Sequence, residues 1–213
     1  MARLFGLIGN RADLAQRVLE SEADLLRARA HGSALGWGVG FYQGGEVLMR
    51  RRPMDDRAEI DVATVVTDLR ADVLVGHVRN ATVGALRTEN THPFRYRQWL
   101  YAQTGTLPAY DRIREPLMAS VPEFLRSSVR GETDAEVLFY VFLSFLHDAG
   151  LLNDFVCPAS KARDALRAAV AVVDAMAAEV GGGATAVNVL ISNGEHLLAL
   201  HRGEPLAYRV FAG

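Results

Sequence analysis

Residues able to carry chemistry are sparse in this chain. Its one cysteine, Cys157, stands before Pro158 in a loop between two helical segments and reads as structural and inert. The six histidines, His31, His77, His92, His147, His196 and His201, include no pair at metal-ligand spacing and no glutamate partner of the zinc-motif kind. No glycine-rich phosphate loop of the P-loop or dinucleotide type is present. No metal and no cofactor is therefore expected. Two charged residues stand out by position. Arg79 closes the apolar run Asp72 to Val78, and Asp134 lies in Gly131-Glu-Thr-Asp-Ala-Glu136 at the head of a second apolar run. Thr133 and Glu136 fit a capping box, and an acid in a helix's first turn is favoured by the helix dipole, so capping alone could account for Asp134.

The elements that must position these residues can be read in order. Met1 to Gly9 reads as a short buried strand beginning at the start of the chain. Arg11 to Ala30 has helical spacing (Leu14, Val18, Ala23, Leu25, Leu26) and ends at His31-Gly32-Ser33. Leu35 to Tyr42 is a glycine-rich strand, followed by a turn at Gly44-Gly45 and a strand through Arg50. Gly36, Gly38 and Gly40 imply close backbone approach, either to a ligand or another segment or in tight sheet-on-sheet packing. Val62 to Leu69 is a short helical pattern, and Asp72 to Val78 is the strongest buried strand. Trp99 to Ala102 and Thr106-Leu107 are strand material around Gly105, and Pro108 to Ser128 is helical. Further helices run from the Gly131 motif to Ala149 and from Lys161 to Val180, the latter closed by Gly181-Gly182-Gly183. A hairpin (Ala186 to Ser192, a turn at Asn193-Gly194, His196 to Arg202) and a strand at Leu206 to Phe211 complete the chain. Strands and helices segregate rather than alternate, which predicts an α+β fold with antiparallel sheets in one domain spanning residues 1–213.

Composition narrows the function classes. The 213 residues are 50% hydrophobic and 23% charged, as in ordinary globular proteins, and the net charge of −2 predicts no pull toward nucleic acid or membrane. Arg50-Arg51-Arg52 reads as a solvated loop. Leu4 to Gly9 is too short for a secretory signal, no apolar run reaches a membrane span, and a single cysteine suits a reducing, cytoplasmic setting.

Taken in order, Arg3-Leu-Phe-Gly6, Gly36-Trp-Gly-Val-Gly-Phe-Tyr42, Gly76-His-Val-Arg-Asn-Ala-Thr82, Asn90-Thr-His-Pro-Phe94 and Gly131-Glu-Thr-Asp134 resemble the class II glutamine amidotransferases. The likeness is to the small stand-alone branch that includes the ergothioneine-pathway γ-glutamyl amidohydrolases. It implies an Ntn-hydrolase-like four-layer αββα sandwich, two antiparallel sheets flanked by helices. It also implies a reaction in which a cysteine at position 2, activated by its own α-amine, attacks the glutamine side-chain amide. By the same resemblance, Arg79 takes the substrate α-carboxylate and Asp134 its α-amino group. Thr82, Asn90, Thr91 and His92 line the pocket, and the Gly105 N–H helps hold the oxyanion.

The chain departs from the pattern where the chemistry is most demanding. Ala2 replaces the nucleophilic cysteine, so no thioester can form. Gln103-Thr104-Gly105 replaces the family's His-Asn-Gly, and losing one oxyanion donor costs about 3–4 kcal/mol of transition-state stabilisation. Leu35 stands at a usually polar position, and the chain reaches Gly213 before the family's last strands. The resemblance then implies a catalytically inactive relative serving as a binding, regulatory or assembly module. Its ligand would be glutamine, glutamate or a γ-glutamyl compound, and its partner another protein or a second copy. The alternative is an active amidotransferase or γ-glutamyl amidohydrolase whose cysteine has been changed to Ala2.

Overall fold

The apolar runs fold into strands and helices that stack in four layers. The computed structural model describes residues 2–30, 34–79 and 84–211. The first sheet joins β1 (Arg3–Ile8), β3 (Leu35–Gln43), β4 (Glu46–Asp55) and β6 (Val73–Arg79) in the order β1-β6-β3-β4, all neighbours antiparallel. The second joins β7 (Phe94–Tyr96), β8 (Trp99–Thr104), β9 (Asn188–Ser192) and β10 (Leu197–His201) in the order β10-β9-β8-β7. A two-stranded ribbon of β2 (Ala28–Arg29) and β5 (Glu59–Ile60) lies apart from both sheets.

Three apolar clusters separate the layers. On one face of the first sheet, Phe5, Val39, Phe41 and Leu74 pack with residues of α1 (Ala15–Ser21) and α3 (Val62–Val65). Between the sheets lie Val47, Val75, Leu100, Ala102 and Leu190. Beyond the second sheet, Trp99, Tyr101, Val189 and Ile191 meet α4 (Tyr110–Ser120), α6 (Asp134–Asp148) and α7 (Ala159–Glu179). The sandwich is thus αββα, as the family resemblance implied.

Helix α6 is its axle. The Thr133 hydroxyl accepts from the Glu136 N–H at 3.3 Å, and the apolar run behind it is buried on every side. A helix apolar all round belongs in a core, and full burial of side chains such as Phe139 and Phe142 stabilises the fold by ~1.5–3 kcal/mol each. Only half of the expected capping box forms. The Glu136 carboxylate reaches instead to the N–H groups of Arg130 and Gly131, at 3.1 and 2.7 Å. Helix α7 ends as its glycines predict: Gly181 takes φ +73° and the Gly182 N–H bonds the Ala177 carbonyl at 2.7 Å.

Several sequence expectations are corrected. Arg11 to Ala30 is not one helix: a 3₁₀ turn, α1 and α2 (Ala23–Leu26) are separated by a turn at Glu22, and Leu25 is exposed. The proposed end of that segment at His31-Gly32-Ser33 lies outside the described residues. Strand β4 continues past Arg50 through Pro53 to Asp55, so the three arginines are strand residues and not a loop. An edge strand can do this because its outer N–H positions need no partner. Val62 to Leu69 is helical only over α3, and the segment after Pro108 breaks at Val121-Pro122 into α4 and α5 (Glu123–Arg126). Thr106-Leu107 lies outside the sheet because Gly105 turns the chain at φ +89°. Residues 204–211 form no strand.

The glycine strand resolves in favour of packing. A Cβ on Gly38 would overlap the backbone carbonyl oxygen of His92, and one on Gly40 would lie 2.8 Å from both Leu100 and Pro93. The second sheet and the segment leading into it occupy the space that side chains would need. Gly38→Ala is therefore expected to destabilise the protein by about 3 kcal/mol or more. Gly183→Ala, with no atom within 4 Å of its added methyl, should change stability by less than about 0.5 kcal/mol. Urea unfolding midpoints of the two variants give the comparison.

Candidate functional site

Arg79, Asn90 and Asp134, three of the positions singled out by sequence, lie together where β6 leaves the first sheet. β6 is buried along its whole length and delivers Arg79 at its end, 4% exposed. Arg79 faces Gly36 of β3 across the ladder, and Ala2 immediately precedes Arg3, the β1 residue registered with Val78. The Arg79 guanidinium donates to the carbonyls of Gly84 and Ala85 at 2.9 and 3.0 Å. Burial lowers its proton affinity, opposed by the charge of Asp134.

Asp134 comes from the first turn of α6 and is likewise buried, 5% exposed. Its Oδ2 accepts from the Leu107 N–H at 2.7 Å, which ties the helix start to the segment just after Gly105. Burial raises its carboxyl above the usual range, against backbone N–H groups and the Arg79 charge. A buried cation and a buried anion thus lie within each other's field. Gly105 itself packs against the Ala186 carbonyl, where a Cβ would collide. Thr104, half-buried, pairs with Asn188 at the end of β8, and the neighbouring Gln103 side chain is engaged by the Tyr101 hydroxyl at 2.7 Å.

Asn90 and Thr91 hold the loop between β6 and β7. The Asn90 Nδ2 donates to the Ala85 carbonyl at 3.0 Å, the same oxygen that Arg79 reaches, while its Oδ1 accepts from the Glu132 N–H at 2.8 Å. The Thr91 hydroxyl donates to the Arg87 carbonyl at 2.7 Å. The structure therefore gives both residues a loop-building role. Thr82 lies outside the described residues. Among the described residues no group of three or more His, Cys, Asp or Glu side chains is placed to hold a metal.

His92 lies beneath this loop against His77, ring centroids 4.4 Å apart. Burial and the Arg79 charge push His77 down to about 3, and burial with its charged neighbours takes His92 well below the ordinary range. Among the described residues, both nitrogens of His92 and Nδ1 of His77 have no hydrogen-bond partner.

Sequence reasoning missed Arg51. On β4 its Nη1 donates to the carbonyls of Thr88 and Thr91 at 3.1 and 3.3 Å, gripping a different part of the loop from Arg79. The signal was the alternation of β4, where Val47, Met49 and Arg51 turn inward and Leu48, Arg50 and Arg52 outward.

Residues 1–210 match the family described as Glutamine amidotransferases class-II. The chain belongs to that family. Among its relatives is the gamma-glutamyl-hercynylcysteine sulfoxide hydrolase of Mycobacterium tuberculosis (H37Rv). The two are 26% identical over 97% of this chain and 79% of that protein. Escherichia coli K12 has a putative glutamine amidotransferase, YafJ, 32% identical over 49% of this chain and 39% of its own length. The chain spans only about two fifths of the longer relatives it matches, YafJ among them. A glutamine aminotransferase class-II domain protein from Silicibacter pomeroyi superposes with a TM-score of 0.59 at 21% identity, covering 80% of this chain and 70% of that one. That last likeness bears on the fold, and the fold is the amidotransferase sandwich.

The histidine pair gives the site a pH signature. Unfolded histidines take up protons near pH 6.5, whereas these stay neutral in the fold, so their stabilising contribution is complete above that pH and is lost as pH falls below it, for His77 down to about 3. Each group steepens the loss by up to ~1.4 kcal/mol per pH unit. His92→Leu is expected to remove one proton's share of that slope, measured as unfolding free energy between pH 7.5 and 5.

Proposed function

We propose that this class II amidotransferase domain binds glutamine, glutamate or a γ-glutamyl compound without hydrolysing it, and acts as a binding, regulatory or assembly module. The observation that carries this reading is Ala2, the residue that leads into β1 beside the end of β6. A methyl group has no lone pair to attack an amide carbon, so the acyl-enzyme route is closed at its first step. Thr104 adds a second deficit, since its short hydroxyl replaces the amide that the family aims at the oxyanion. What remains is recognition. A zwitterionic α-amino acid offers a carboxylate and an ammonium, and Arg79 with Asp134 supplies the opposite charges on a strand end and a helix start.

One observation favours a second reading, an amidohydrolase whose cysteine has been changed to Ala2. The matched residues are each held in place: Arg79 and Asn90 share the Ala85 carbonyl, Asn90 also accepts from the Glu132 N–H, and Asp134 accepts from the Leu107 N–H.

The Ala2→Cys variant separates the two, provided mass spectrometry confirms that Met1 has been removed. Under the first reading the parent protein binds L-glutamine or a γ-glutamyl peptide by calorimetry and releases no glutamate. Ala2→Cys then stays at least about 10²-fold below its Thr104→Asn double variant, the cost of a missing oxyanion donor. Efficient glutamate release by Ala2→Cys alone establishes the second reading. A parent that binds none of these ligands overturns the first.

A further inference from the structure

We infer that the cleft where the edge strands of both sheets meet α6 is a binding site for a small molecule carrying two adjacent anionic groups, a diphosphate or a dicarboxylate. The cleft measures about 510 Å³, within the ~300–1,000 Å³ of small-molecule sites. β4 and β7 are the outer strands of their sheets on this side, and each contributes an arginine, Arg51 and Arg95. Arg97 comes from the tight turn after β7 and Arg130 from the segment before α6. Against these four cations stand Glu89 and Glu136, and the Glu136 carboxylate is already engaged by two backbone N–H groups. On a chain whose net charge is −2, this one cleft carries a positive excess.

Arg51 donates to the Thr88 and Thr91 carbonyls and Arg95 to those of Arg97 and Val47, so the donors available to a ligand are chiefly those of Arg97 and Arg130. The guanidiniums of Arg97 and Arg130 donate no hydrogen bond to any other described residue, and both side chains are exposed. Arg97 lies over the Tyr96 ring, 5.8 Å from its centroid, which orients the group without using its N–H donors. It also holds φ +52°, a left-handed backbone position that glycine takes without strain. An arginine there costs stability and contributes a cation to the cleft wall. Planar guanidiniums match paired oxygens of phosphoryl or carboxylate groups two at a time, and several around one concavity favour a ligand with more than one anionic group. Tyr96 and Tyr140, edge to face at 6.1 Å, give the wall an aromatic surface for the rest of such a molecule.

This site is separate from the Arg79–Asp134 pair and requires no turnover, so it stands or falls independently of glutamine binding. Calorimetry on the full chain with pyrophosphate and with malonate, each against sodium chloride at matched ionic strength, tests it. One equivalent of pyrophosphate or malonate is expected to bind, and the better of the two identifies the anionic group. The double variant Arg97→Gln/Arg130→Gln should bind at least about tenfold more weakly while melting within a degree or two of the parent. Neither probe exceeding the salt control overturns the proposal. So does a double variant that binds as tightly as the parent.

Discussion

The contact between the backbone of Gly38 and the carbonyl of His92 sets the geometry on which the rest of the structure depends. A glycine in the middle of a strand sacrifices side-chain packing and conformational entropy. Here the absence of a Cβ lets the segment entering β7 lie directly on the first sheet, with Pro93 and Leu100 filling the space over Gly40. The loop between β6 and β7 is thereby fixed at its far end, while Arg79 fixes its near end. Asn90, Thr91 and His92 inherit their positions from those anchors.

Charge then organises what packing has brought together. Arg79 and Arg51 between them satisfy four carbonyls of the loop, those of Gly84, Ala85, Thr88 and Thr91. Asp134 and Glu136 accept backbone N–H groups on either side of the α6 start, those of Leu107, Arg130 and Gly131. Burying an ion without such partners costs several kcal/mol, and these ions are held by the backbone more than by one another. The electrostatic complementarity of Arg79 and Asp134 therefore rests on a scaffold that exists before any ligand arrives.

The sequence was most legible where local and global preferences agreed. β6 is a continuous apolar run because both of its faces are covered. α6 has its Thr133 cap and no polar stripe, and the Asn193-Gly194 turn sits between two strands that do pair. It was least legible where tertiary context overruled pattern. The helical spacing of residues 11–30 extends across Glu22, but the chain turns there and exposes Leu25. The arginine run looked solvated because two of its three members are, while the middle one turns inward to hold a loop remote in sequence. Residues 206–211 are rich in strand-favouring side chains, yet no neighbouring strand pairs with them among the described residues. The family, and the positions matching its motifs, were readable from blocks in order. That Asn90 and Thr91 spend their polar groups on the loop itself was not, because hydrogen-bond partners are a property of the folded chain.

The all-round burial of α6 has a consequence for the timescales on which the two halves of the candidate site can change. Most of the helix's side chains contact other elements of the core, so its amide protons reach solvent only when the molecule opens as a whole. The described stretch 84–89 after β6 is mostly exposed and held by a few hydrogen bonds, so it opens at lower cost. Hydrogen exchange thus divides the site into a slow wall that carries the anion and a fast wall that holds the cation in place. A ligand spanning both would slow exchange in the loop long before it altered the helix.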